Sequence, residues 1–96
     1  MKLLDVRKSD RSDKKLVAEF ETEKGGTKKV HFGAKGYSDY TVHKDPKRRE
    51  NYIARHKKNE NWNDPTTAGS LSKHLLWGDS TSLQQNLKAF KKKFKI

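Results

Sequence analysis

The chain has 96 residues, with 23 lysines and arginines against 12 aspartates and glutamates, a formal charge of +11, and only 30% hydrophobic residues. A chain of this length makes one domain rather than two and buries roughly 60–65% of its unfolded surface, so its core is small. It contains no cysteine, which excludes disulfides and thiolate metal sites, and no run approaches the ~20 apolar residues of a membrane span.

The opening residues Met1-Lys2-Leu3-Leu4-Asp5 are too soon charged for a signal peptide, which predicts a protein of the cytosol, the nucleus or a particle assembled there rather than a secreted one. Leu4 and Val6 sit two apart, the spacing of one strand face, and polar residues from Lys8 to Asp13 make a turn. Lys15 to Thr22 reads as a second strand, with Leu16, Ala18 and Phe20 on one face and Val17, Glu19 and Glu21 on the other. Gly25-Gly26 marks a hairpin, because glycine accepts the positive φ of tight turns. Lys28 to Phe32 returns with Val30 and Phe32 inward and Lys29 and His31 outward. The simplest account is a three-stranded antiparallel β-meander over residues 1–33.

After Gly33 and Gly36 the character changes. Asp45-Pro46 opens a helix from about Lys47 to Lys58, with Tyr52, Ile53 and His56 inward, since Asp caps free N–H groups and Pro is tolerated in the first turn. Asn59 to Asp64 is a polar break that holds Trp62. A second Asp-Pro at Asp64-Pro65 predicts a short helix through Leu71, Leu75, Leu76 and Trp77, ended by Gly78 as a C′ glycine. Ser82 with Gln85 suggests a capping box for a last helix. There Leu83, Leu87, Phe90 and Phe94 form a helical stripe opposite the lysines.

The expected fold is α+β: one domain over residues 1–96, with the β-meander followed by three short α-helices in residues 34–96. Nine aromatics argue for a packed domain despite the charge. The expected core is Leu16, Phe20, Val30, Phe32, Tyr52, Ile53, Leu75, Trp77, Leu83, Leu87 and Phe90.

Two basic clusters stand out. Lys44, Lys47, Arg48, Arg49, Arg55, Lys57 and Lys58 surround the first helix, and Lys88, Lys91, Lys92, Lys93 and Lys95 lie on the last. Arg grips phosphate bidentately and Lys neutralises it; both clusters point to a polyanion, with a merely solvated charged face as the plain alternative. Acidic residues (Asp45, Glu50, Glu60) interleave with the first cluster. Trp62, in its polar loop, is a candidate partner contact. His43, Asp39, Asp45 and His56 are types that a metal-dependent nuclease recruits, and His56, Asn61 and His74 loosely suggest a His-Asn-His nuclease. Their spacing matches no metal motif, and a structured turn in which Asp39 and Asp45 cap backbone accounts for most of them. No catalytic residue, metal site or cofactor is assigned, and the oligomeric state is left open.

Phe32-Gly33-Ala34-Lys35-Gly36-Tyr37-Ser38-Asp39-Tyr40-Thr41, His43-Lys44-Asp45, Arg48, Tyr52, Arg55-His56, Glu60-Asn61-Trp62, Thr67-Ala68-Gly69 and Leu75-Leu76-Trp77 together resemble a family of small uncharacterised basic proteins of large DNA viruses of algae and amoebae. The resemblance covers about two-thirds of the chain, and the preceding hairpin also fits it. Members of that family often carry aromatics where Ser70-Leu71 stands here. The resemblance implies a viral protein made in the cytoplasm or nucleus of an infected cell and carried in the virion, and it implies no activity.

The leading functional expectation is therefore non-enzymatic binding of DNA or RNA through phosphate contacts. The alternative is a minor capsid protein wedged between larger subunits, its lysines neutralising acidic capsid surfaces.

Overall fold

A computed structural model describes all 96 residues. Strands β1 (Lys2–Lys8), β2 (Lys14–Glu21) and β3 (Thr27–Ala34) form one antiparallel sheet in the order β1-β2-β3, the expected meander. The Gly25-Gly26 turn joins β2 to β3, with Gly25 at φ 84° and the Thr22 N–H donating to the Gly26 carbonyl at 2.8 Å. Helical segments follow: α1 (Tyr40–His43), α2 (Pro46–His56), α3 (Ala68–Leu71) and α4 (Leu83–Phe94). The chain is thus α+β as expected, with the four-residue α1 added to the three helices read from sequence.

The register of β1 corrects the first strand face. Leu3 pairs with Phe20, but Asp5 rather than Leu4 pairs with Glu19, so one extra residue is inserted. That bulge reverses the alternation. Leu3 is 2% exposed and packs on Phe20, whereas Leu4 is 44% exposed. Val17 also differs from expectation: it lies on the face opposite Ala18 and Phe20, yet it is buried. Its in-register neighbours are Arg7 and His31, whose long or broad side chains shelter apolar surface while keeping their polar ends in water.

The core joins Leu3, Ala18, Phe20 and Phe32 of the sheet to Leu71, Leu75, Leu76 and Phe90 of the helices. Leu16, Val30, Trp77, Leu83 and Leu87 pack around it, half-buried. Tyr52 and Ile53, expected in the core, lie outside this cluster, because α2 buries none of its residues. Gly33 at the end of β3 takes φ 79°, and a Cβ there would come within 2.7 Å of Leu76 Cδ1. Its missing side chain lets the helical layer close on the sheet.

Helix ends follow side-chain chemistry. Asp39, Asp45, Thr67 and Ser82 cap α1 to α4 through their side-chain oxygens. The second Asp-Pro does not itself start a helix: the Asp64 carboxylate accepts from the Thr66 N–H and hydroxyl, and Thr67 is the cap instead. The last turn of this segment, Ser72–Leu76, widens to a π turn in which the Trp77 N–H donates to the Ser72 carbonyl. Gly78 follows without positive φ. Its role is close approach, since a Cβ there would strike the His74 carbonyl and the Asn86 amide. The Ser82 capping box is half made. Ser82 Oγ accepts from the Gln85 N–H, but the Gln85 side chain turns to Ser80 Oγ at 3.0 Å.

Candidate nucleic-acid interface

The 11-residue α2 stands at the margin of the core, and side chains tie it down. Tyr52 stacks on Trp77 with ring centroids 4.2 Å apart and planes 2° from parallel. His56 extends this stack on Tyr52 at 4.2 Å, and His43 lies tilted against Trp77 at 5.2 Å with planes 56° apart. Arg49 closes the attachment: Nε donates to the carbonyls of Trp77 (3.1 Å) and Gly78 (2.8 Å), and Nη2 pairs with Asp79 at 2.8 Å. Burial, with a smaller contribution from nearby Glu60, pushes the Tyr52 hydroxyl up to about 12.

Because α2 stands off the sheet, a cavity of about 620 Å³ opens between them. The sheet end and following loop contribute Lys14, Lys15, Gly33, Ala34, Tyr37, Ser38 and Asp39. Helix α2 contributes Arg48, Asn51, Tyr52, Arg55 and His56, and α3 with its π turn contributes Ala68, Gly69, Ser72, Leu76 and Trp77. Glu60 lies at the joint between these two walls.

The electrostatics are uneven in a useful way. Both carboxylates in the cavity are already engaged. Asp39, 2% exposed, pairs with Lys15 Nζ at 2.6 Å and accepts from the Thr41 N–H and hydroxyl. Glu60 meets His56 Nδ1 at 3.3 Å and accepts from the Trp62 indole N–H at 2.8 Å, and Gly69 is small enough to let it lie against α3. By contrast, Lys14, Arg48 and Arg55 line the same cavity, and none of them has a carboxylate partner among the ion pairs of the fold. A cavity whose two acids are engaged within the fold, and are outnumbered by the unpaired cations Lys14, Arg48 and Arg55, attracts anions.

The residues singled out from sequence divide accordingly. Arg48 and Arg55 face the cavity, whereas neighbouring Arg49 serves the fold. Lys44, Lys47, Lys57 and Lys58 are exposed around α2 without lining the cavity. Lys88, Lys91, Lys92, Lys93 and Lys95 are exposed on and just after α4, as a second basic surface that does not border the cavity. Trp62 is half-buried and pinned: its indole N–H bonds Glu60, its carbonyl accepts from His74 Nε2 at 3.0 Å, and Lys73 Nζ lies 5.3 Å from its ring centre. Lys14, Lys15 and Tyr37 are cavity residues that sequence reasoning missed, since nothing in a strand start or a glycine-flanked loop marks them as neighbours of a distant helix.

The nuclease candidates hold structural posts. Asp39 and Asp45 are N-caps, and His43 Nδ1 accepts from the Asp45 N–H at 3.0 Å. His56 is on Glu60, the Asn61 side chain accepts from the Asn63 N–H, and His74 is on the Trp62 carbonyl. No three His, Asp or Glu side chains gather as a metal-binding group, and no helix is long and apolar enough to cross a membrane.

Residues 4–56, more than half of the chain, match a family of unknown function (DUF5754). The matched segment takes in the sheet from Leu4 onward, α1 and α2. No curated protein and no solved structure matches the chain.

Proposed function

Since the chain belongs to that family of unknown function, we propose its function from the site itself: it is a non-enzymatic protein that binds nucleic acid through phosphate contacts, centred on the cavity-facing side of α2. The observation that carries this reading is the set of unpaired cations Lys14, Arg48 and Arg55 around a cavity whose two carboxylates, Asp39 and Glu60, are engaged within the fold. Arginine donates in a planar fork that matches phosphate oxygens. Lys44, Lys47, Lys57 and Lys58, exposed around α2, add to the positive field of this part of the molecule. The α4 lysines add a second neutralising surface. Such contacts position a backbone and carry little sequence information.

The resemblance of the segment from Phe32 onward to proteins of large DNA viruses supports placing this activity in an infected cell or its particles. A role as a minor capsid component rests on that resemblance alone. The test is a titration of the purified protein against duplex DNA, single-stranded RNA and polyglutamate at several salt concentrations. Binding to nucleic acid that weakens steeply with salt, and much weaker binding to polyglutamate, is expected. Equal and feeble binding to all three would overturn the reading.

A further inference from the structure

We propose that the cavity receives one unstacked nucleotide of a single strand, so that the protein prefers single-stranded nucleic acid to duplex. This rests on the phosphate-binding reading above and adds to it a base-sized seat.

The size suits it. A volume of about 620 Å³ falls in the range of small-ligand sites, roughly 300–1,000 Å³, and admits a sugar, a base and a phosphate. A duplex keeps its bases stacked inside and offers only its backbone, so it can touch the rim cations without filling the cavity.

The lining suits it as well. Arg48 and Arg55 lie two helical turns apart on one wall, about 10 Å along the axis, with Asn51 between them. Lys14 faces them from the sheet side. A strand crossing the mouth would meet a cation before and after the nucleotide that enters. Tyr37 stands at the rim 75% exposed, with no aromatic partner and no side-chain hydrogen bond. Tyr52 and Trp77 line the interior too, but one face of each is spent on the other, and His56 and His43 lie against them as well, which leaves Tyr37 as the ring with both faces free for a base. Bases stack on such rings with little sequence preference. The side chains of Ser38, Asn51 and Ser72 line the cavity and make no hydrogen bond within the protein, so their donors and acceptors are available to a base edge or a sugar hydroxyl.

The test is an anisotropy titration of labelled thymine and uracil oligonucleotides, the matching duplex, and a base-less strand of the same sugar-phosphate length. The single strands should bind about tenfold more tightly than the duplex or the base-less strand, the worth of about one stacked base. Tyr37→Ala should bring single-strand affinity down to the duplex level and leave duplex binding unchanged, while Tyr37→Phe keeps the preference. Arg48→Ala with Arg55→Ala should weaken every arm. Equal affinity for single strand, duplex and base-less strand would overturn the seat while leaving phosphate binding in place. So would a Tyr37→Ala protein that loses duplex and single-strand affinity alike. Absence of binding in all arms would overturn both.

Discussion

Tyr52 and Trp77 lie face to face, 4.2 Å between ring centres and 2° from parallel, and this contact couples α2 to the helical layer of the core. The relationship matters because α2 has no fully buried residue to hold it. A helix of 11 residues gains little from propensity alone and depends on such tertiary contacts.

Tyr52→Ala is therefore expected to cost about 2–3 kcal/mol by chemical denaturation, from lost ring burial and stacking, and to shift Trp77 emission. Tyr52→Phe keeps the stack. The Tyr52 hydroxyl makes no hydrogen bond in the fold and is held protonated by burial, so the phenylalanine variant should stay within about 0.5 kcal/mol of the parent.

Adjacent arginines separate stability from binding. Arg49→Lys removes a fork that serves two carbonyls and Asp79, which one ammonium cannot reproduce. The expected loss is about 1–3 kcal/mol. Arg48→Lys, one residue away and exposed, should leave the denaturation midpoint unchanged.

Gly78→Ala tests the closure of the helical layer. A Cβ there would press on the His74 carbonyl and come within 2.7 Å of Asn86 Cγ. Asn86 is itself fixed, its amide donating to the Leu75 and Ser80 carbonyls at 3.0 and 2.7 Å. Neither neighbour can yield freely, so a loss of about 1–3 kcal/mol is expected.

His74 gives a pH dependence. Burial lowers its pKa from the ordinary 6.5; the hydrogen bond to the Trp62 carbonyl and the charge of Asp79 oppose this, and Lys73 and Lys93 reinforce it. The unfolded chain thus takes up a proton that the fold resists. Stability on this account is full above about pH 6.5 and falls as pH drops below it. Denaturation midpoints between about pH 7 and pH 5, above the range where ordinary carboxylates titrate, should decline for the parent and flatten for His74→Gln.

Much of the fold was legible because short-range chemistry wrote it. Alternation in Lys15 to Thr22 and the Gly25-Gly26 turn located a hairpin, and Asp45-Pro46 and Ser82 located two helix starts. The bulge at Leu4 was not legible, since one inserted residue leaves no mark until its partner strand is known. Nor was α1, whose four residues are too few for a period. The basic face of α2 could be read, but Arg48 and Arg49 are equivalent by residue type. Only the position of the Trp77 and Gly78 carbonyls assigns one to the surface and the other to the fold. The cavity was hidden for a similar reason. Its walls come from segments as distant as Lys14 and Trp77, and the sheet-to-helix geometry that joins them belongs to the tertiary structure.

The central claim is that Arg48 and Arg55 meet phosphates, and the salt dependence of nucleic-acid binding measures it most directly. For the parent and for the Arg48→Ala/Arg55→Ala double variant, log affinity is plotted against log salt concentration. Loss of two phosphate contacts should lower the slope by about 2 and weaken binding across sequences. An unchanged slope and affinity in a folded double variant would contradict the account and move the phosphate-binding face elsewhere, to the lysines of α4.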